Sequence, residues 1–418
     1  MISQLNKLSD EVSRKKLMQG IAAMTLGVNA GFSPVHASAS QKKKVVRIFL
    51  PGGMSHIDSF DPKPQSPDLM GDTTVIRTNT GEKISSYFPE LAKRMDKLAL
   101  VRSMKSPDAA HERAMYIMET SYAQLGSIKH PNFGAWMQRL NGVQNKTLPA
   151  SVSIKSSHGA GYLGTSYDPF VVKNPQNALN GLVMEDPKSE KNMKLLKLMA
   201  DVRRDFHQEY KFRGVEDYRQ YYNESIKFMH SKDLEAFDLT KEDKATAKKF
   251  DIPNGENFLL ARRLLEVNVQ YVSMNIGGWD DHNELWDEEN YPRKAKNLDK
   301  ALGVFLDDLE ERGLMNSTVI SVNSEFGRTP KISPEHGRGH FNKAFFALLA
   351  GAGVKGGTVY GKTNDEAAKI IENPVEPFDF NATLATLAGL NVEKEIFSPT
   401  NRPFTVARGG KVISELMA

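Results

Sequence analysis

Apolar residues in this chain gather into short unbroken runs closed by turn residues. KKKVVRIFLPGG (Lys42 to Gly53) is a basic start, then an apolar run, then Pro-Gly-Gly. LALVRSM (Leu98 to Met104), ASVSI (Ala150 to Ile154), VQYVSMNI (Val269 to Ile276), STVISVN (Ser317 to Asn323) and AFFALLAG (Ala344 to Gly351) repeat the pattern. Unbroken runs of this length are what strands buried on both faces look like. Between them the period changes. From Ala109 to Ala123, Ala114, Ile117 and Met118 fall on one helical face. From Asn297 to Leu314, Leu298, Leu302, Phe305 and Leu309 do the same, with Gly313 as a stop. Strands alternating with helices predict an α/β fold: a doubly wound, mostly parallel sheet sandwiched by helices. Residues from about Glu185 to Phe250 are rich in Lys and Glu and nearly free of strand pattern, which reads as a helical insertion. The fold domain is expected over 45–400, with 401–418 as a C-terminal tail.

The first 37 residues read as an export signal rather than as structure. SRKKLMQG (Ser13 to Gly20) is a basic region, IAAMTLGVNAGF a short apolar stretch, and VHA (Val35 to Ala37) a small-x-small cleavage site. The segment resembles a twin-arginine signal, with Lys15 at the second arginine, and implies a periplasmic or otherwise exported protein. The apolar stretch is too short to span a bilayer. Removing this segment lowers the net charge from +4 to +2, so nothing suggests a nucleic-acid partner. The chain has no Cys. Any metal is therefore held by His, Asp and Glu, which favours zinc, manganese, magnesium or calcium.

In an open α/β sheet the ligand site lies beyond the carboxyl ends of the strands. Four strand ends each deliver polar residues there. After the first strand come Ser55, His56, Asp58 and Asp61; after LALVRSM come Asp108, His111 and Arg113. After VQYVSMNI comes GGWDDH, with Asp280, Asp281 and His282; after STVISVN come Glu325 and Arg328, then His336, Arg338 and His340. A mixed His and carboxylate set without Cys is that of a catalytic metal site. Each element also has a structural reading. GGMSH suits a tight turn, Asp280-Asp281 suits the cap of a helix beginning at Asn283, and Glu325 suits an ion pair with Arg328.

GGMSHIDSFDPKP, GYLGTSYDPF, GGWDDH, SEFGRTP, GRGHF and PVEPFDFNATLATLAGL together resemble the DUF1501 family of exported proteins, which is placed near the alkaline phosphatase and sulfatase superfamily. The resemblance runs from about Val45 to Leu390. It implies an alkaline-phosphatase-like sandwich and a metal-dependent hydrolase of phosphate or sulfate esters. By the same resemblance Asp58 (or Asp61), Asp280, His282, Glu325 and His340 are the metal ligands. His111, Arg328 and Ser55 are the catalytic candidates, with Arg328 or Arg338 complementing the charge of the transferred group. Alanines stand where the superfamily places its nucleophile, which leaves attack to metal-activated water or an unidentified group. Asp281 stands where the family usually has Thr, Gly339 where Asp is usual and Phe341 where Trp is usual. The competing reading is a non-catalytic envelope protein that binds an anionic glycan or phosphate ligand on the same fold.

Overall fold

The computed structural model describes residues 42–179, 228 and 231–418. The expected export signal and residues 185–227 of the expected insertion lie outside the described residues. The rest of the insertion forms the short turns Lys232–Phe237 and Leu239–Lys241 and the helix Lys244–Lys249.

Eight strands form the central sheet: β1 (Lys44–Phe49), β2 (Leu98–Met104), β3 (Ser151–Ile154), β4 (Phe170–Val172), β5 (Tyr271–Asn275), β6 (Thr318–Asn323), β7 (Phe345–Gly351) and β8 (Val359–Tyr360). Their spatial order is β8-β2-β7-β6-β1-β5-β3-β4. The apolar runs locate six of these strands, and the short edge strands β4 and β8 carry too little pattern to show. β1 lies parallel between β5 and β6, pairing Val45 with both Tyr271 and Val319. β7 alone runs the other way, antiparallel to both β6 and β2. The reason is the connection: β6 reaches β7 through a hairpin in which Gly327–Arg328 pairs with His340–Phe341, whereas a parallel return needs a crossover element. The start of β7 therefore sits at the same rim as the carboxyl ends of its neighbours.

Helices cover both faces: α1 (Pro89–Ala92), α2 (His111–Thr120), α3 (Phe133–Asn141), α4 (Gly255–Glu266), α5 (Tyr291–Glu311) and α6 (Pro377–Leu387). Alternate β1 residues divide the core. Val46 and Ile48 pack with α4 and α5 residues such as Leu260 and Phe305. Val45 and Phe49 pack on the other side with Met118 and Phe380. Arg47 interrupts that second face and is fully buried, its guanidinium donating to Met118 O at 2.6 Å. The segment expected as a C-terminal tail is packed instead: Phe404, Val406, Ala407, Ile413 and Leu416 are buried in the second core. Among the described residues no helix is long and apolar enough to cross a membrane.

Two expected helix boundaries move. α5 begins at Tyr291 with Pro292 in its first turn, earlier than the hydrophobic pattern shows. No helix begins at Asn283, because Glu284 is left-handed (φ 45) and the NELWDEEN segment packs as a loop, with Trp286 Nε1 donating to Thr73 Oγ1 at 2.9 Å.

α1 is capped by another helix. Its phenylalanine N-cap offers no side-chain acceptor, and Asp299 on α5 accepts from Glu90 N and Leu91 N, each at 2.8 Å. We expect Asp299→Ala to cost about 1–2 kcal/mol, as loss of an N-cap does, and Asp299→Asn to recover part of it through its remaining carbonyl oxygen. Urea denaturation of the three proteins measures both effects.

Candidate metal site

The three central strands place their loops side by side, so the segments following β1, β5 and β6 meet above the sheet. Their approach is close enough to require glycine. A Cβ on Gly52 would lie 2.7 Å from Asp280 N, and Gly52 also has φ +113. A Cβ on Gly337 would lie 1.8 Å from His282 O. Backbone bonds then join the two loops: Arg338 N to Asp281 O at 3.2 Å, Glu284 N to Glu335 O at 2.9 Å and Leu285 N to His336 O at 2.8 Å. Trp279 is buried beneath this turn, edge-on to Tyr291, with its indole N–H donating to Ile276 O at 2.6 Å.

On this platform four side chains converge. His111 Nε2, His340 Nε2 and Asp280 Oδ1 form a triangle with sides of 3.0, 3.3 and 3.3 Å. His282 Nε2 builds a second triangle on one of its edges, 2.9 Å from Asp280 Oδ1 and 3.1 Å from His340 Nε2. The outer ring nitrogens are held from behind. His111 Nδ1 faces Glu325 Oε1 at 2.6 Å, and His340 Nδ1 faces the Ala109 carbonyl at 3.0 Å. Both partners accept, so each ring keeps its proton on Nδ1 and turns the lone pair of Nε2 toward the other. Two imidazole lone pairs and a carboxylate oxygen this close repel unless a proton or a cation lies among them.

The charges agree with that arrangement. Burial pushes the Asp280 carboxyl up, but the Arg328 guanidinium and then His111 and His282 bring it down to about 2, so it is a carboxylate. The Glu325 hydrogen bond raises the His111 pKa, whereas burial lowers that of His340. Two imidazole nitrogens and a carboxylate oxygen without a thiolate, with a third imidazole beside them, suit a divalent cation such as zinc. The triangle's edges are close to the roughly 3.3 Å expected between ligand atoms bound tetrahedrally at about 2.0–2.1 Å. His111, Asp280 and His340, with His282 beside them, are the residues that could hold it.

The structure thus brings together Asp280, His282, His340 and His111 and leaves other expected site residues elsewhere. Glu325, expected as a ligand, stands one imidazole behind the cluster: it is fully buried and also accepts from Gly52 N at 2.8 Å and Ser324 Oγ at 2.9 Å. His111, expected to be catalytic, occupies the position facing the cluster in its stead. Asp58 is drawn off by Arg338. Both are fully buried, they pair at 2.7 Å, and Thr73 Oγ1 adds a bond to Asp58 at 2.6 Å. A buried guanidinium requires such a counter-charge. Ser55 donates to the same carboxylate and is buried with it, away from the cluster. Asp61 pairs with Lys63 at 2.9 Å. Asp281 turns away to Lys294 at 2.5 Å, and His336 is exposed.

Arg328 does not wait for a substrate. It is fully buried and donates to Gly52 O, Gly53 O, Arg338 O and Asp280, with distances of 2.9 Å to Gly53 O and 3.0 Å to Arg338 O. Its charge is neutralised by Asp280 and its donors hold the loops.

The sequence model of the family described as "Protein of unknown function (DUF1501)" matches residues 42–417. No curated protein matches the chain. Among solved structures it is similar to the lipoteichoic acid synthase of Listeria monocytogenes, at 11% identity and a TM-score of 0.43, over 94% of this chain and 79% of that one. It is also similar to a sulfatase from Pseudoalteromonas sp., at 13% identity and a TM-score of 0.41, over 91% of this chain and 73% of that one. A phosphonate monoester hydrolase from Silicibacter pomeroyi is a third, at 12% identity and a TM-score of 0.40, over 90% of this chain and 76% of that one.

The contact of Gly337 with the His282 backbone generates a matched pair of variants. Gly337→Ala forces the two loops apart, and we expect its affinity for Co²⁺ to fall roughly 10- to 100-fold, as when a ligand's support is lost. Gly339→Ala, whose new Cβ would meet Thr329 at ordinary contact distance, Cγ2 at 3.5 Å and Oγ1 at 3.8 Å, should bind Co²⁺ as the unsubstituted protein does. Competition titration against a chelating dye measures both.

Proposed function

The chain belongs to the DUF1501 family, and we propose that it is an exported, metal-dependent hydrolase of phosphate or sulfate esters. The observation that carries this reading is the cluster itself. Three imidazole nitrogens and a carboxylate oxygen, delivered from separate strand ends, form two triangles that share the Asp280–His340 edge, with sides of 2.9–3.3 Å and two of the rings held from behind.

His111, Asp280 and His340, with His282 beside them, would hold a divalent cation. When bound, it supplies Lewis-acid polarisation of a phosphoryl or sulfuryl oxygen. The residues around it fix geometry and charge. Glu325 keeps the proton on His111 Nδ1 and sets the ring plane, and Arg328 keeps Asp280 ionised and anchored. α2 begins at His111 with no side-chain cap at Ala110, so the N–H groups of its first turn and its positive end lie beside the cluster. This is a setting that favours an anionic substrate group. The ester class follows from that end and from the motifs that resemble the alkaline phosphatase and sulfatase superfamily.

The reading assigns attack to water. Ala109 and Ala110 offer no nucleophile. Of the nearby hydroxyls, Ser55 is bound to Asp58, and Ser103 donates to Asn373 O at 2.5 Å. The same absence of a nucleophile favours a second reading, in which the cluster binds an anionic envelope glycan or phosphate without cleaving it.

Elemental analysis of natively exported protein, followed by assays on aryl phosphate, bis-aryl phosphate and aryl sulfate, separates the readings. Under the hydrolase reading the protein carries stoichiometric metal and turns over at least one ester. His282→Ala then loses metal affinity by roughly 10-fold or more, and activity with it. Metal without turnover, together with retention of sulfated or phosphorylated glycans, leaves the binding reading. A protein devoid of metal rules out both. Sequencing of the exported form tests the localisation, with Ser38 expected as its first residue.

A further inference from the structure

The rim holds a second histidine–carboxylate pair, which the metal cluster does not use. The loop directly after β3 reads KSSHG, Lys155 to Gly159. It leaves the strand through Lys155, a non-glycine residue in left-handed backbone (φ 83), a conformation kept only where its surroundings impose it. His158 Nδ1 in this loop lies 2.8 Å from Glu119 Oε2, and the Glu119 side chain is mostly buried. His158 itself is part-exposed, and its Nε2 makes no hydrogen bond among the described residues.

Neighbouring groups face the same way chemically. Asn275, the last residue of β5, donates its amide to Ser156 Oγ at 2.7 Å, which leaves the Ser156 proton to be donated elsewhere. Ser157 Oγ accepts from Asn132 Nδ2 and Gly159 N, so its proton too is left to be donated. The nearby carboxylate of Asp168 accepts from Ala160 N at 2.6 Å through Oδ1. What remains are the Ser156 and Ser157 hydroxyls and the exposed Lys155 ammonium as donors, with His158 Nε2, which carries a lone pair while Nδ1 alone is protonated and becomes a donor once the ring is cationic. The Glu119 hydrogen bond also raises the pKa of His158, which favours a proton on both of its nitrogens.

The position relative to the cluster follows from α2. His111 is its first residue and Glu119 lies eight residues on, about 12 Å along the helix axis. We propose that His158 and Ser156, with Lys155 beside them, form a second oxyanion-binding subsite on the strand-end rim, taking a sulfate or phosphate group of a ligand chain whose neighbouring group reaches the cluster. The Ser156 hydroxyl, the Lys155 ammonium and the protonated His158 ring all donate to a ligand group that only accepts, and a cationic imidazole selects a charged one. The ligand is thus a repeating polyanion, either a sulfated glycan or a phosphate-linked polymer. This subsite does not require a metal in the cluster and stands or falls apart from the hydrolase reading.

The test uses the full chain stripped of metal with a chelator. Sodium sulfate and, separately, sodium phosphate are titrated while the histidine ring Cε1–H resonances are followed, with the His158 resonance assigned by its loss in His158→Gln. The expected result is a saturable shift of the His158 resonance with at least one of the two anions, and an affinity roughly 10-fold weaker in Ser156→Ala, the effect of losing one hydrogen bond to a charged group. The anion bound more tightly names the source. A His158 resonance that does not move with either anion overturns the proposal. So does a shift that Ser156→Ala leaves unchanged while its melting temperature is normal, or a shift seen only after metal is restored.

Discussion

A single buried guanidinium holds the rim of this protein together. Arg328 leaves the end of β6 and bonds the carbonyls of Gly52 and Gly53 in the loop after β1, the carbonyl of Arg338 in the hairpin, and the Asp280 carboxylate in the loop after β5. Three loops far apart in sequence thus share one cation. A buried guanidinium left without acceptors would cost several kcal/mol, so the loops are fixed where its N–H groups point. Asp280 supplies the compensating charge and is held ionised in return. The cluster's carboxylate and the fold's internal cation are therefore one interaction, and a change to either partner reaches both stability and the cluster.

The same logic of paired demands separates two kinds of polar group at the rim. Arg338 and Asp58 satisfy each other completely and are sealed from solvent. His111 and His340 are satisfied only on their outer nitrogens, because Glu325 and the Ala109 carbonyl accept from the far sides and force the inner lone pairs together. In the first case burial ends the matter. In the second, orientation creates a demand that only a proton or a metal ion meets, and the two compete, so that cation affinity falls as the solution becomes more acidic. Glu325 has a double part in this. It raises the basicity of His111, which strengthens a bound cation, and it also raises the His111 pKa, which strengthens the competing proton.

Much of this was legible along the chain. Unbroken apolar runs gave six of the eight strands. The rule that ligand groups follow strand ends brought Asp280, His282, His340 and His111 into one list, because it depends only on local pattern and on the direction of parallel strands. Pairing was not legible. Whether Asp58 reaches a metal or a guanidinium depends on Arg338, 280 positions away. Whether Glu325 reaches the cluster or stops at His111 depends on how far α2 projects past β2, and no periodicity reports that distance. Which strand departs from the mostly parallel pattern was not legible either, because an apolar run has no direction, and only the shortness of its connection to β6 reverses β7. His158 obeyed the strand-end rule as the others did, yet its loop showed no carboxylate near it in sequence, since its partner Glu119 sits on a helix packed against the sheet.

α2 is then more than cover for the sheet. Its first residue presents an imidazole to the cluster, and its last turn presents the carboxylate that steadies His158. Met118 O, in that last turn, accepts from Arg47, so the buried cation at mid-sheet pins the C-terminal end of the helix. A rigid helix of this kind fixes the distance between its two ends at about 1.5 Å per residue, whatever the loops do. Two anion-attracting points joined by such a bar select ligands by the spacing of their charges as well as by the charge itself. A small ester presenting one anionic group engages a single end. A chain presenting two, suitably spaced, engages both, and the second contact is then intramolecular and gains affinity without any new group at the first.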